Sequence, residues 1–135
     1  MQKTKLIELL KSFSAYEINN FAKFIASPYF NKHDKVIALF NCIERFHPDF
    51  TDDNLEKERI YSKLFPGKRY EDKMMRYLSY ELLKLAEEFL GFEEYKKDTF
   101  FVKLDRLGGV MNKSNKVLMP KLMDKVSEEL TPEKY

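Results

Sequence analysis

The sequence predicts an all-α fold, a bundle of six or seven helices built around one long central helix over about residues 71–98. Three observations carry that prediction. From Met75 onward, Leu78, Leu82, Leu85, Phe89 and Phe92 follow one another at steps of three and four, and Leu83, Ala86 and Leu90 add a second row beside them. An apolar face that wide belongs to a helix covered on more than one side, rather than to a coiled-coil seam. The chain holds only 4 Gly and 5 Pro in 135 residues, too few to punctuate many short strands. Its composition, 44% hydrophobic beside 34% charged, is that of a globular domain, and its 12 Phe and 8 Tyr with no Trp point to a Phe-rich core rimmed by tyrosines.

In chain order, Leu6, Ile7, Leu9, Leu10 and Phe13 mark one face of a first helix. Ser14-Ala15-Tyr16-Glu17 has the capping-box pattern and opens a second, with Ile18, Phe21, Ala22 and Ile25 inward and Phe24 flanking. Pro28 disfavours helical geometry at Ser27 and ends it. The loop Ser27-Pro28-Tyr29-Phe30-Asn31 then carries two large aromatics, expected to plug the helix junction or else to contact another molecule. A third helix is expected from about Asp34 to Phe46, with Val36, Leu39, Phe40, Ile43 and Phe46 inward and Cys42 packed on its flank. Asp49 to Asn54 reads as a polar loop, and Asp53 with Glu56 as the cap of a fourth helix, Leu55 to Phe65, burying Ile60, Leu64 and Tyr61. Pro66-Gly67 supplies the turn into the long helix, whose first acids, Glu71 and Asp72, suit the positive end of its dipole.

Beyond it, Phe100, Leu104, Leu107 and Met111 keep helical spacing; a hairpin about Gly108-Gly109 is the alternative. A last helix is expected from Pro120, with Leu122, Met123, Val126 and Leu130. Thr131 to Tyr135 reads as a restart with nothing behind it, the sign of a chain that continues in a longer protein or of a frayed natural C-terminus. The organisation expected is one domain, residues 1–98 forming the main bundle and 99–135 a C-terminal helical pair.

A formal net charge of +2 does not by itself imply a polyanionic partner. One cysteine makes neither an intramolecular disulfide nor a thiolate zinc site. No stretch approaches the roughly eighteen apolar residues of a membrane span, and Glu8 and Lys11 interrupt the N-terminal apolar run short of signal-peptide length. A cytoplasmic protein is expected.

Three stretches carry a resemblance: Ser27-Pro-Tyr-Phe-Asn31, Ile60-Tyr61 with Leu64-Phe-Pro-Gly67, and Met75-Arg-Tyr-Leu-Ser79 leading to Leu82, Leu85 and Glu88-Phe-Leu90. They resemble the N-terminal region of a group of longer, uncharacterised bacterial proteins. The resemblance covers about the first hundred residues and implies further helical segments, continuing into helical repeats, beyond this chain. It implies no activity, and Gly108-Gly109 and Pro120 depart from it.

Catalytic chemistry finds little footing. Gly67-Lys68 is followed by Arg69 and lacks the upstream glycine of a phosphate loop. Glu44 and His47 make one Glu-x-x-His half-site where a di-iron bundle needs two, so His47 is read as a helix C-terminal cap. No serine sits in a nucleophile elbow, and the paired acids Asp52-Asp53, Glu87-Glu88 and Glu93-Glu94 fall on polar faces beside lysines. No catalytic residue, metal ligand, cofactor or small-molecule substrate is therefore assigned. The leading expectation is a non-enzymatic interaction or scaffolding module bound to another protein or to the rest of a longer chain, with Tyr29, Phe30, Tyr77 and Tyr80 as contact residues. The alternative is a DNA-binding regulator using a helix-turn-helix-like unit over about residues 55–90. That unit looks somewhat like the DNA-binding part of winged-helix regulators and offers Lys68, Arg69, Lys73 and Arg76 to phosphates, although Glu71 and Asp72 oppose it.

Overall fold

Every regular element among the described residues is helical. The structure, a computed structural model, describes residues 4–51 and 53–113. The elements are α1 (Lys5–Lys11), α2 (Ala15–Ala26), α3 (Asp34–Ile43), α4 (Lys57–Leu64), α5 (Asp72–Lys97) and α6 (Thr99–Met111), with single 3-10 turns at Glu44–Phe46 and Asp53–Leu55. The expected helix from Pro120 with Leu122, Met123, Val126 and Leu130, and the restart at Thr131 to Tyr135, lie outside the described residues, as does Asp52. By its internal contacts the chain divides into two compact units, Met1–Leu90 and Gly91–Tyr135; the sequence reading drew its internal line at residue 98.

In the first unit the corner between α1 and α2 follows the capping box. Ser14 Oγ accepts from the Glu17 N–H at 3.1 Å, and Glu17 Oε1 accepts from the Ser14 N–H at 2.9 Å, so two otherwise orphaned amides of the helix start are satisfied. Phe21, fully buried, is the centre of the core. The rings of Phe13, Phe40 and Phe89 surround it at centroid distances of 5.7, 5.1 and 5.4 Å, bringing the α1–α2 corner, α3 and α5 together about α2. Each such pair contributes about 0.5–1.5 kcal/mol beyond the area it buries. The apolar stripe of α5 is buried at Met75, Leu78, Leu82, Leu85, Ala86 and Phe89, as its spacing predicts, and Leu83 and Leu90 are half-buried against the core.

Three expectations in this unit need correction. The third helix does not run to Phe46: it tightens into a 3-10 turn after Ile43, and Phe46 is only half-buried. The fourth starts at Lys57, and Glu56 stands at its N-cap without a side-chain hydrogen bond to the helix amides, its carboxylate lying near Arg59 instead; Leu55 and the Asp53 carbonyl belong to the preceding 3-10 turn. The stretch read as a polar loop contains Phe50, which is fully buried at a φ of 51°. Its N–H donates to the Phe46 carbonyl at 2.8 Å, and the chain bends back far enough to deliver the ring into the core.

Two long-range polar contacts tie the helices. Lys35, in the first turn of α3, donates from Nζ to the Leu64 carbonyl at 2.6 Å and lies over the Phe65 ring at 4.7 Å, so it supplies the positive charge that the end of α4 favours. His47 Nε2 meets the Phe13 carbonyl at 2.6 Å, so its ring ties the end of the 3-10 turn back to the α1–α2 corner instead of capping its own helix.

In the second unit α5 continues through Gly91 without a break, and a methyl group added there would meet nothing within 4 Å. Asp98 caps α6, accepting from the N–H groups of Phe100 at 3.1 Å and Phe101 at 3.3 Å. The residues 99–111 are thus helix, not hairpin. The Tyr95 hydroxyl donates to the Asp105 carboxylate, with the Phe101 carbonyl 3.2 Å away. That hydrogen bond to an anion, followed by burial, pushes the Tyr95 phenol up to about 12. The expected inward stripe is shallower than its spacing suggests: Phe100, Leu104 and Leu107 are half-buried, and Phe92 and Met111 are exposed.

Candidate interaction surface

The loop after α2 is set by hydrogen bonds rather than by its aromatics. The N–H groups of Phe30 and Asn31 both donate to the Ser27 carbonyl, at 3.1 and 2.9 Å. Asn31 is the residue that plugs the junction: it is buried, its Nδ2 donates to the Ile25 carbonyl at 2.9 Å, and its Oδ1 accepts from the His33 N–H at 3.1 Å. With the inward position taken, the two aromatics before it face outward. Tyr29 is 89% exposed and Phe30 44%, the latter with one face stacked on Phe24 at 4.6 Å. Tyr29 meets Phe30 edge-on at 5.3 Å.

The second side of the surface is α5. Its start is fixed by a type II turn in which Pro66 holds the first central position and Gly67, at φ 76°, the second, and the Lys68 N–H donates to the Phe65 carbonyl at 3.1 Å. Asp72 then accepts from the Tyr70 hydroxyl at 2.8 Å and pairs with Arg76 Nε at 2.9 Å. Burial, the hydrogen bond to Asp72 and the negative charges of Asp72 and Glu58 push the Tyr70 phenol up to about 12, against the opposing pull of Arg76. Further along, Tyr77, Glu81, Lys84 and Glu88 recur at steps of four, three and four, so they share one face of the helix. Tyr77 is 47% exposed, and Tyr80, on the flank of that face, 61%.

Between this face and the loop lies an open groove of about 750 Å³, lined among others by Phe30, His33, Glu81, Lys84, Leu85 and Glu88. His33 joins its two sides, its ring 5.9 Å from that of Tyr77. Of the four aromatics named from sequence, Phe30 lines the groove. Tyr29 meets Phe30 and Tyr77 meets His33, both of them lining residues, while Tyr80 stands on the flank of the α5 face and is not among the lining residues. Of the polar groups of the groove, Lys32, His33, Glu81 and Lys84 carry no role in the sequence reading, and Glu88 is read there as polar helix surface. The step pattern of Tyr77, Glu81, Lys84 and Glu88 was the signal that could have found the helix half.

Of the four cations considered for phosphate binding, Lys68 and Arg69 are exposed in the extended link before α5, Lys73 is exposed in its first turn, and Arg76 is engaged by Asp72. Glu44 and His47 line a second, smaller depression with Asn19 and Asn41, where the His47 ring is already turned to the Phe13 carbonyl. Among the described residues no three His, Cys, Asp or Glu side chains gather as a metal site requires. No helix of those residues is long and apolar enough to cross a membrane. Compared with protein-family models, curated proteins and solved structures, the chain matches none.

Proposed function

We propose that this chain is a non-enzymatic protein-interaction module that binds through the groove between the loop after α2 and the exposed face of α5. The observation that supports the reading is a groove with Phe30 and polar side chains in its walls, with exposed Tyr29 and Tyr77 against its lining residues Phe30 and His33. Large amphipathic aromatics with a polar rim are the composition in which binding energy concentrates at protein interfaces. The absence of a nucleophile elbow or phosphate loop in the sequence supports a non-catalytic role.

A photoreactive residue placed in turn at Tyr29, Tyr77 and Tyr80 tests the idea in the native host. The expected result is one shared cross-linked species from all three positions and none from Tyr16, which is 72% exposed in the first turn of α2, outside both the loop and α5. Cross-linking that is equal at Tyr16, or missing at all three, overturns it.

Duplex DNA is the competing ligand, and the exposure of Lys68, Arg69 and Lys73 about the start of α5 favours it. The ion pair of Arg76 with Asp72 and the exposed Glu71 beside it weigh against it. Binding that falls steeply with salt and is abolished by Lys73→Glu with Arg76→Glu would establish the DNA reading in place of the protein one.

A further inference from the structure

We infer that α5 is built to end at either of two places, Lys97 or Leu90, with Gly91 as the switch between them. The inference is independent of the reading of the groove, whose lining residues all precede Leu90.

Up to Leu90 the helix is held from outside. Phe89 is 2% exposed with its ring 5.4 Å from that of Phe21, and Leu90 is half-buried against the same core. Beyond that point no described residue from 91 to 113 is buried. The last turns are braced by Glu93 with Lys96 and Glu94 with Lys97, pairs within one helical turn, and by the Tyr95 hydroxyl on Asp105. The change from one regime to the other falls at Gly91, where the two compact units of the chain also divide.

Nothing in the continuous helix asks for glycine at this position. The backbone there is helical and an added methyl group would meet nothing within 4 Å, whereas the φ of 76° at Gly67 does call for one. In a helix interior, glycine instead weakens helix against coil about fivefold relative to alanine. The shorter helix does use it. With Leu90 at the end, Gly91 takes the first position beyond, where left-handed backbone closes a helix and glycine is favoured, and Phe92 supplies the apolar residue that this closure sets against the last turns. Glu87 and Glu88 would then stand near the negative end of the dipole, which disfavours acids, so the long helix is the ground state and the short one the minor state. Ending at Leu90 releases the N–H groups of Glu93, Glu94 and Tyr95 from the carbonyls of Phe89, Leu90 and Gly91, and leaves residues 4–90 folded.

The test is residue-resolved amide hydrogen exchange of the full chain, for the native sequence and for Gly91→Ala and Gly109→Ala. In the native chain Glu93, Glu94 and Tyr95 are expected to exchange through an opening that leaves Leu82, Leu85 and Phe89 protected. Gly91→Ala is expected to slow exchange at those three amides at least about fivefold, because alanine strengthens the long helix and spoils the cap of the short one. Leu82, Leu85 and Phe89 should not respond. Gly109→Ala adds a methyl group that also meets open space, but in α6, and is expected to leave the three amides unchanged. Equal protection along the whole of α5, or no response to Gly91→Ala, would overturn the inference. So would equal slowing by both variants, which would mean that the second unit opens as one piece and not at a switch within α5.

Discussion

The loops after Ser27 and after His47 are built from the same materials and end in opposite places. Each follows a helical segment, and each carries proline, one residue, then phenylalanine: Pro28-Tyr29-Phe30 and Pro48-Asp49-Phe50. Phe50 is fully buried and Phe30 nearly half exposed. Hydrophobicity does not separate them, since the residue type is identical and the exposed ring has the more apolar neighbour. The backbone does. At Phe50 the chain adopts φ 51° and closes a hydrogen bond to Phe46 at 2.8 Å, which turns the side chain under the helices. At Phe30 the turn closes on Ser27, and the next residue, Asn31, goes inward because its amide satisfies a carbonyl at one end of the loop and an N–H at the other. A buried polar group that satisfies two backbone groups outcompetes an aromatic ring for the same place, because leaving either group unpaired inside costs about 1–3 kcal/mol.

The sharpest way to break the comparison is to truncate both rings. Phe50→Ala should cost about 3–5 kcal/mol in urea unfolding, the loss typical of a buried phenylalanine, whereas Phe30→Ala, which loses one stacked face, should cost under about 1.5 kcal/mol. Equal losses would mean that the exposure of Phe30 does not reflect its energetic weight. A step down in size, Asn31→Ala should destabilise by about 1–3 kcal/mol, and Asn31→Leu should not rescue it; if Leu did restore stability, volume rather than hydrogen bonding would hold that loop. The smallest change is expected at Tyr29→Ser, within about 0.5 kcal/mol of the native chain by the same measurement, while the cross-linked species seen from Tyr77 weakens. A stable variant that has lost binding marks Tyr29 as a surface contact; one that has lost stability marks it as part of the fold.

The two loops also show where the sequence was legible. Periodicity located the helices, because a helix that must bury one face writes that face at steps of three and four, and the cap at Ser14 was legible because its partner is three residues away. Phe50 was not: it stands alone among polar residues, so no period marks it, and its burial depends on a backbone angle that the residue itself disfavours. Lys35 and His47 were misjudged or missed because their acceptors, Leu64 and Phe13, are brought near only by the packed bundle. The candidate surface divides in the same way. Tyr29 and Phe30 announced themselves as aromatics in a loop, and Tyr77 and Tyr80 as aromatics on the polar side of a helix. That His33, just after the loop, meets Tyr77 of α5 is a property of the fold and has no local signature.

The polar ties of the helices also set an order in time. Thr4, Ser14 and Asp98 each satisfy amides two or three residues ahead, so these caps can form as soon as their own helix does. The Lys35 tie spans 29 residues and the His47 tie 34, and neither can close before distant helices have met. In denaturant-dependent kinetics, loss of the Ser14 cap should therefore slow refolding. Loss of the Lys35 or His47 tie should leave refolding unchanged and speed unfolding, which makes these two side chains the latches that govern how long the first unit stays folded.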